Sequence, residues 1–490
     1  MSPYRLASVL PLFGCGLIGF DPLGDAAVSD APFDHFGEDA PADRTAGDAP
    51  SDGSGDAITA PELRLVYDSD RVIGAAGNQL VVDVGVGPTG TIALTGRMSE
   101  AVDLGGGLLP HVGEADGFVV VYDADGTFRW ATTFGNAGQD RPFAVEVDAE
   151  DNVYVTGTFE NTLNLGGVDL VSNGGSDAFV VSYDRLGVHR WSQRFGGNTT
   201  GDVGFGLARG PNGRFHLSGW VNGVINFGFG DEITDNQDAL ALSIASDGSR
   251  GAVALVGGRG LNQGQDLAPG PETTRVSVGV FDDQIDLSSG TVSSAGLRDL
   301  YVQEIRGEAV DGFSFHAGTP ANEEANEVAI LPDGTTVVGG RSRGGLDLGS
   351  GALPNFGDND CLVFALTTSG ELAWALSFGS VGDDRVTGVE AGPEGTVVVS
   401  GFYSGDMSVG GMPVPHRGSA DGFVLVLGSD GKVLDVKSFG GPESETAREM
   451  AVQGRAVYVA GQLNGPVDLG GGLRSVNGID GFVIRYELQR

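Results

Sequence analysis

DGFVVVYDADGTFRWATTFGNAGQDRPFAVEVDAEDNVYVTGTF, running from Asp116 to Phe159, is the stretch that decides the fold. Its opening anchor, an Asp followed by a small or apolar residue and then a large apolar one, returns at Asp177, Asp238, Asp299, Asp360, Asp421 and Asp480. The spacing is 61 residues five times and then 59. A fixed period of this length marks a repeat architecture in which each unit is one supersecondary element. Within the unit, FAVEVDAE (Phe143–Glu150) alternates with period two, turns at Asp151-Asn152 and continues as VYVTGTF (Val153–Phe159). After a Gly-rich excursion come AFVVSYD (Ala178–Asp184), a turn, and HRWSQRFG (His189–Gly196). These four short segments, A to D, predict four antiparallel strands per unit, the blade of a β-propeller.

A Gly near the end of segment B recurs as Gly96, Gly157, Gly219, Gly279, Gly340, Gly401 and Gly461, which gives seven blades. The last unit ends after its C segment, GFVIRYEL (Gly481–Leu488), without a D segment. RLVYDSDRVIG (residues 64–74) precedes the first A segment and aligns with the D segments of later units. The sequence therefore predicts an all-β, seven-bladed β-propeller over residues 62–490. An N-terminal outer strand pairs with the last blade, closes the ring and removes exposed sheet edges.

Composition limits the partners. The 490 residues carry 66 acidic and 28 basic side chains, a net charge of −38. That excludes nucleic-acid binding by phosphate neutralisation and disfavours an anionic membrane surface, so a charged partner is cationic. Two cysteines, Cys15 and Cys361, give no disulfide framework. Cys361 opens a C segment, where a thiol behaves as a small apolar group.

The wording of each unit, DxFVxxYDxxGxxxWxxxFGG, an acidic loop, an alternating strand and GNxYVTGxF with LGG after it, resembles the SBBP family of β-propeller repeats. The resemblance covers residues 64–490, is strong in the units opening at Asp116, Asp177, Asp360 and Asp421, and is weak in those opening at Asp238 and Asp299. There Ala252 and Phe313 replace the Trp found at 130, 191 and 374. The family implies a bacterial propeller, secreted or surface-anchored, and no particular reaction. The Trp phrase also resembles quinoprotein-type repeats, where this Trp packs between blades; no convergent cofactor ligands accompany it here.

Residues 1–15, MSPYRLASVLPLFGC, carry one base, Arg5, ahead of a short apolar run, a secretory signal pattern too short to span a bilayer. Leu12-Phe13-Gly14-Cys15 resembles a bacterial lipobox, which implies lipidation of Cys15 and outer-membrane anchoring; the alternative is an ordinary apolar N-terminus. Residues 16–61 form an acidic Ala/Pro/Asp/Gly-rich stretch, with ten acids between Asp21 and Asp56 against the single base Arg44. Such a composition predicts a disordered tether, or a linker with no spacing role.

The loops from D into the next A segment carry acids, among them Asp140, Asp202, Asp266, Glu327, Asp384 and Glu445. With strand A innermost these converge on the mouth of the central channel as an acidic funnel. The long B-to-C excursions, such as DLGGG (Asp103–Gly107), are expected to stand around the same mouth. That surface suits a cationic peptide, an amine or a divalent ion. Asp123-Ala-Asp125-Gly126 could suggest calcium, but its equivalents keep only a turn ending in Gly, so a hairpin turn is expected and no cofactor is required. His111 and His416 match through repeat kinship, on blades too far apart to share a metal.

Function therefore reads as a non-catalytic binding propeller, a monomer. It is lipid-anchored at the outer membrane, secreted or periplasmic, touches the membrane only through its lipid, and recognises a protein, peptide or glycan. A hydrolase or lyase at the channel mouth and a periplasmic envelope-assembly scaffold are the alternatives. Adjacent acids such as Asp383 and Asp384 point to opposite faces of a strand, which argues against a catalytic pair there.

Overall fold

Alternating apolar residues become strands where the repeat places them. In a computed structural model that describes residues 63–490 apart from 75, 76, 114, 200, 229, 230 and 477, the second unit forms strands Arg141–Val147, Val153–Phe159, Asp177–Tyr183 and His189–Phe195. The chain builds seven four-stranded antiparallel sheets of this kind, each in the order A-B-C-D. Their A strands are Gln79–Val86, Arg141–Val147, Val203–Arg209, Asn262–Pro269, Glu324–Ile330, Arg385–Ala391 and Glu445–Gln453, and these number blades 1 to 7. The fold is a seven-bladed β-propeller. Residues 1–15 and 16–61, read as signal and tether, lie outside the described residues, as does Cys15.

The ring closes as the sequence indicated. Strand Arg64–Ile73 pairs antiparallel with Ile479–Gln489 as the fourth strand of blade 7, from Arg64 opposite Gln489 to Ile73 opposite Gly481. Arg474 Nε donates to Asp70 at 2.7 Å, a second tie between the two ends of the described chain. Strand C is buried along its whole length in blades 1, 2, 5 and 6, because it is covered on both faces by neighbouring blades.

Two glycine positions explain the repeat's wording. Every A strand carries a β-bulge at the same place, between Pro142 and Ala144 in blade 2 and at the equivalent positions elsewhere. The backbone carbonyl just before the bulge presses on the strand B glycine. A Cβ on Gly157 would lie 2.1 Å from the Arg141 carbonyl oxygen, and at the other six glycines the separation is 1.9–2.1 Å. Only glycine fits. The glycine ending strand D meets the anchor aspartate instead: a Cβ on Gly135 would lie 2.2 Å from Asp116 Oδ1. Asp116 Oδ2 in turn accepts the Val112 amide at 2.5 Å, and Asp177, Asp299, Asp360 and Asp421 accept the amide four residues upstream in the same way.

The Trp positions dock blades. The Trp130, Trp191 and Trp374 rings lie over Gly187, Gly248 and Gly431 in the C–D turn of the next blade. The indole N–H donates to the Ser246 carbonyl from Trp191 at 3.1 Å and to the Ser429 carbonyl from Trp374 at 2.8 Å. Phe313 covers Gly370 in the same way, and Arg71 of the closing strand donates to the Gly126 carbonyl at 2.6 Å.

The B-to-C hairpins differ from the expected crown around the channel. They fold outward and fill the wedge that opens between the D strands of consecutive blades. Gly166 and Gly167 lie against His189 on the D strand of their own blade, and Gly470 and Gly471 against Tyr67 of the closing strand. Met407–Val409 of blade 6 shares an apolar cluster with Trp374 and Phe378 of blade 5. The cause is strand twist, which makes blades diverge at the rim and leaves an apolar seam to be covered. The Leu of the LGG phrase plugs it: Leu104, Leu165, Leu348 and Leu469 are all buried. In blade 3 strands B and C simply continue outward, as Phe215–Asn226 and Asp231–Ile244.

Gly157→Ala forces a methyl into the Arg141 carbonyl and is expected to cost about 2–4 kcal/mol. Denaturant unfolding of G157A checks this; unchanged stability would mean that the bulge does not constrain the blade.

Candidate functional site: the axial channel

The seven A strands surround an axial cavity of about 350 Å³. The bulge sets which side chains face it. Pairing resumes after the bulge at Asp83, Ala144, Asp266, Glu327, Gly388 and Glu449 in blades 1, 2, 4, 5, 6 and 7; in blade 3 it resumes at Leu207, and the equivalent residue is Gly206. Two residues further along, on the same strand face, Glu146 and Glu390 also line the cavity. Six carboxyl groups thus share one space. On the blade 2–3 side the wall is aromatic, with Phe143 and Phe205 stacked at 5.1 Å between ring centroids and Trp220 behind Phe205 at 6.1 Å.

Some of these carboxylates also bind blade to blade. Asp83 accepts the amide of Val84 at 2.6 Å and, across the seam, that of Val145 in blade 2, also at 2.6 Å. Asp266 accepts the Val328 amide of blade 5 at 2.9 Å, and Glu146 the Arg209 amide of blade 3 at 3.3 Å. These bonds favour the ionised form, but desolvation opposes it and is larger. Burial, reinforced by the neighbouring carboxylates, pushes Asp83 up to about 7 and Glu390 to about 8, burial chiefly pushes Asp266 to about 6, and burial takes Glu146 to about 7 against the attraction of Arg209, which also lines the channel. Glu327 and Glu449 are driven well above the ordinary glutamate value by burial and then by the other acids of the ring. All six carboxyls are thus shifted above the ordinary carboxylate range, although Glu146, Asp266, Glu327, Glu390 and Glu449 keep part of their surface open to the channel.

The sequence-expected funnel residues fall at two depths. Asp266 and Glu327 line the channel wall. Asp140, Asp202, Asp384 and Glu445 do not line it; they are fully buried, the first three in the D-to-A loops and Glu445 at the start of its A strand, where they pin backbone amides. Asp140 accepts from the Asn136 amide at 2.7 Å, Asp202 from the Gly197 and Asn222 amides at 2.8 and 2.6 Å, and Glu445 from the Gly441 amide at 2.6 Å. Asp384 accepts from the Ser380 and Ser404 amides. Burial raises all four, Asp140 to about 6 and Asp202 and Glu445 to about 7. The equivalents of these loop acids in blades 4 and 5 are Asn262 and Glu323, both buried, so Asp266 and Glu327 belong to a different position four residues on. The two positions look alike in sequence because both sit in acid-rich text just before an alternating strand.

Asp83, Glu146, Glu390 and Glu449 escaped that reading altogether. The legible signal was an acid inside an otherwise apolar A strand, as in FAVEV and VTGVEA. Asp383 and Asp384 point apart as expected, Asp383 accepting from Asn359 Nδ2 at 2.6 Å while Asp384 is buried. Asp123 and Asp125 form a hairpin turn, Asp125 accepting the Thr127 amide at 2.9 Å and Asp123 the Arg129 Nε at 2.7 Å. Among the described residues no three His, Cys, Asp or Glu side chains stand close enough together to hold one metal ion. Cys361 is buried, and burial raises its thiol well above the usual range.

No protein-family model matches the chain. It is similar to the regulatory protein FlaEY of Caulobacter vibrioides, 24% identical over 347 residues covering 62% of this chain and 34% of that protein. It is also similar to the uncharacterized WD repeat-containing protein L264 of Acanthamoeba polyphaga mimivirus, 27% identical over 118 residues, or 21% of this chain and 8% of that one. The chain thus spans about a third or less of the length of these relatives. Among solved structures, Kuenenia stuttgartiensis hydrazine synthase matches with a TM-score of 0.45 and 13% identity, over 79% of this chain and 93% of that one. The Neurospora crassa Pan2 WD40 domain matches with a TM-score of 0.43 and 12% identity, over 85% of this chain and 90% of that one.

Because the ring acids titrate higher in the folded than in the unfolded chain, the folded state holds more protons between about pH 4 and pH 8, and stability falls as pH rises through that window. The double variant E327Q/E449Q removes part of this slope. Its melting midpoint is expected to exceed that of the parent by about 3 °C or more at pH 8 and to match it near pH 4. Thermal melts across pH check the sign; a parent more stable at pH 8 than at pH 5 would contradict it.

Proposed function

We propose that the chain is a non-catalytic binding propeller whose axial channel takes an extended organic cation, a polyamine or a lysine- or arginine-bearing peptide segment. The observation that carries this reading is the six-carboxyl ring around one cavity. Its charges are spread around a circle, with no three donors gathered for a metal ion among the described residues. Separated positive charges match a distributed ring better than one point charge does. The Phe143–Phe205 wall adds aromatic faces and edges, and the faces attract ammonium and guanidinium groups. The net charge of −38 draws cations toward the whole molecule before they reach the channel.

An apolar run ending in Cys15 and an acidic stretch after it support a propeller displayed at a bacterial envelope on a lipid anchor, or released from it. A display of this kind exposes the channel to extracellular or periplasmic amines and to basic segments of envelope proteins.

Cation binding must release the ring's protons, so affinity rises with pH across the titration window. Spermidine is expected to raise the melting midpoint in a saturable manner at pH 8, by less at pH 5, and by less in E327Q/E449Q than in the parent. An arginine-rich peptide added in a parallel series separates the free amine from the peptide source. Calcium at equal ionic strength is expected to give a smaller shift. Absence of a shift with either organic cation at pH 8 would overturn the channel as a cation site.

A further inference from the structure

Each seam between blades is built on one repeated pair, a strand B residue three before the conserved glycine facing the strand B residue four before it in the next blade. Blades 2 and 3 show the pairing, with Tyr154 stacked on Phe215 at 3.7 Å between ring centroids. The equivalents are Ala93 with Val153, Val337 with Val397 and Val398 with Val457, each pair in one apolar cluster, and Tyr458 with Ile92 at the closure. Between blades 4 and 5 the pair is Val276 with Thr336, both buried. Between blades 3 and 4 it is His216 with Arg275.

That substitution is costly unless something answers it. Arg275 is 1% exposed and His216 5% exposed. Arg275 Nη1 reaches across to the Ala241 carbonyl of blade 3 at 3.3 Å and its Nη2 donates to the Gly307 carbonyl, while its Nε has no partner. Nδ1 of His216 and Nη1 of Arg214 are likewise buried without partners. Arg214 stands just ahead of strand Phe215–Asn226, and its Nη1 lies beside Gly251 together with Ser243 Oγ. Ser243 is directly opposite His216 in the sheet. His216 thus feels both guanidiniums and faces the Ser243 hydroxyl. Arg214 is half-exposed and acts on the exposed Asp247, but among the described residues no carboxylate makes an ion pair with Arg275 or Arg214. The nearest acidic influence on Arg275 is the exposed Glu308.

A chain with 66 acids and 28 bases has little statistical reason to bury an arginine against a histidine. Burying a charge without a counter-charge costs several kcal/mol or more, and a hydrophobic residue would serve the seam better, as the other blades demonstrate. We propose that the seam between blades 3 and 4 binds a small oxyanion, such as phosphate or sulfate, on Arg275, His216 and Arg214. Burial, then the two guanidiniums, lowers His216 to about 4, so the imidazole is neutral in the empty seam, and an anion beside it favours its protonated, donating form. The two blades in question are also those whose repeat wording diverges, with Ala252 and Phe313 in place of Trp.

The test compares parent and Arg275→Val, which installs the residue that blades 2, 6 and 7 use at this position. Both are melted at one pH in chloride, phosphate and sulfate of matched ionic strength. Phosphate and sulfate stabilise proteins generally by exclusion from the surface, and the variant measures that background. The parent is expected to gain roughly 2 °C or more over R275V on replacing chloride by phosphate, saturably with concentration. R275V in chloride is expected to melt at or above the parent. An equal gain in both proteins, or no gain in the parent, would overturn the proposal. Should R275V fail to fold, phosphate titrated calorimetrically into the parent and into His216→Val decides: saturable heat in the parent that H216V loses supports the site, and heat absent from the parent or unchanged in H216V overturns it.

Discussion

The β-bulge in every A strand, pressed against a strand B glycine, is the constraint on which the rest depends. It kinks the innermost strand, aims the following side chain into the axis, and brings the backbone of one A strand within reach of the next blade. A single extra residue per blade thus fixes the ring of side chains around the channel. Seven repetitions turn a local backbone feature into a closed circle, and the closing strand Arg64–Ile73 protects the edge that the last blade would otherwise expose.

The same repetition made the fold legible and part of the site illegible. The anchor aspartates, the strand B glycines and the Trp positions could be read because each answers to a local steric or hydrogen-bonding demand that recurs unchanged. Closure could be read because the repeat region is preceded by the strand that its last unit lacks. The channel acids were harder. Asp83, Glu146, Glu390 and Glu449 occur in different blades at two heights, and they become one group only when seven A strands are set around an axis. Asp140 and Asp202 looked functional for the opposite reason: they recur, and they recur because each loop needs its amides pinned. In a repeat protein the residues that keep the period are structural, and those that break it carry what is particular to the chain.

By that criterion both unusual sites are departures from the repeat. Four blades put an acid where blades 2, 3 and 6 have Ala144, Gly206 and Gly388, and one seam puts His216 and Arg275 where others are apolar. The two have opposite charge and opposite logic. Channel carboxylates face open space and adjust by holding protons, whereas Arg275 cannot shed its proton and is left needing a counter-charge. A cation entering the ring therefore exchanges with protons.

That exchange is the most direct test. Calorimetric titration of spermidine into the protein at pH 7, in two buffers that differ in ionisation enthalpy, reports the protons released per cation bound. Saturable binding with about one or more protons released is expected, a number that falls in E327Q/E449Q. Binding without proton release, or no binding at all, would contradict a ring of protonated carboxyl groups that a cation discharges.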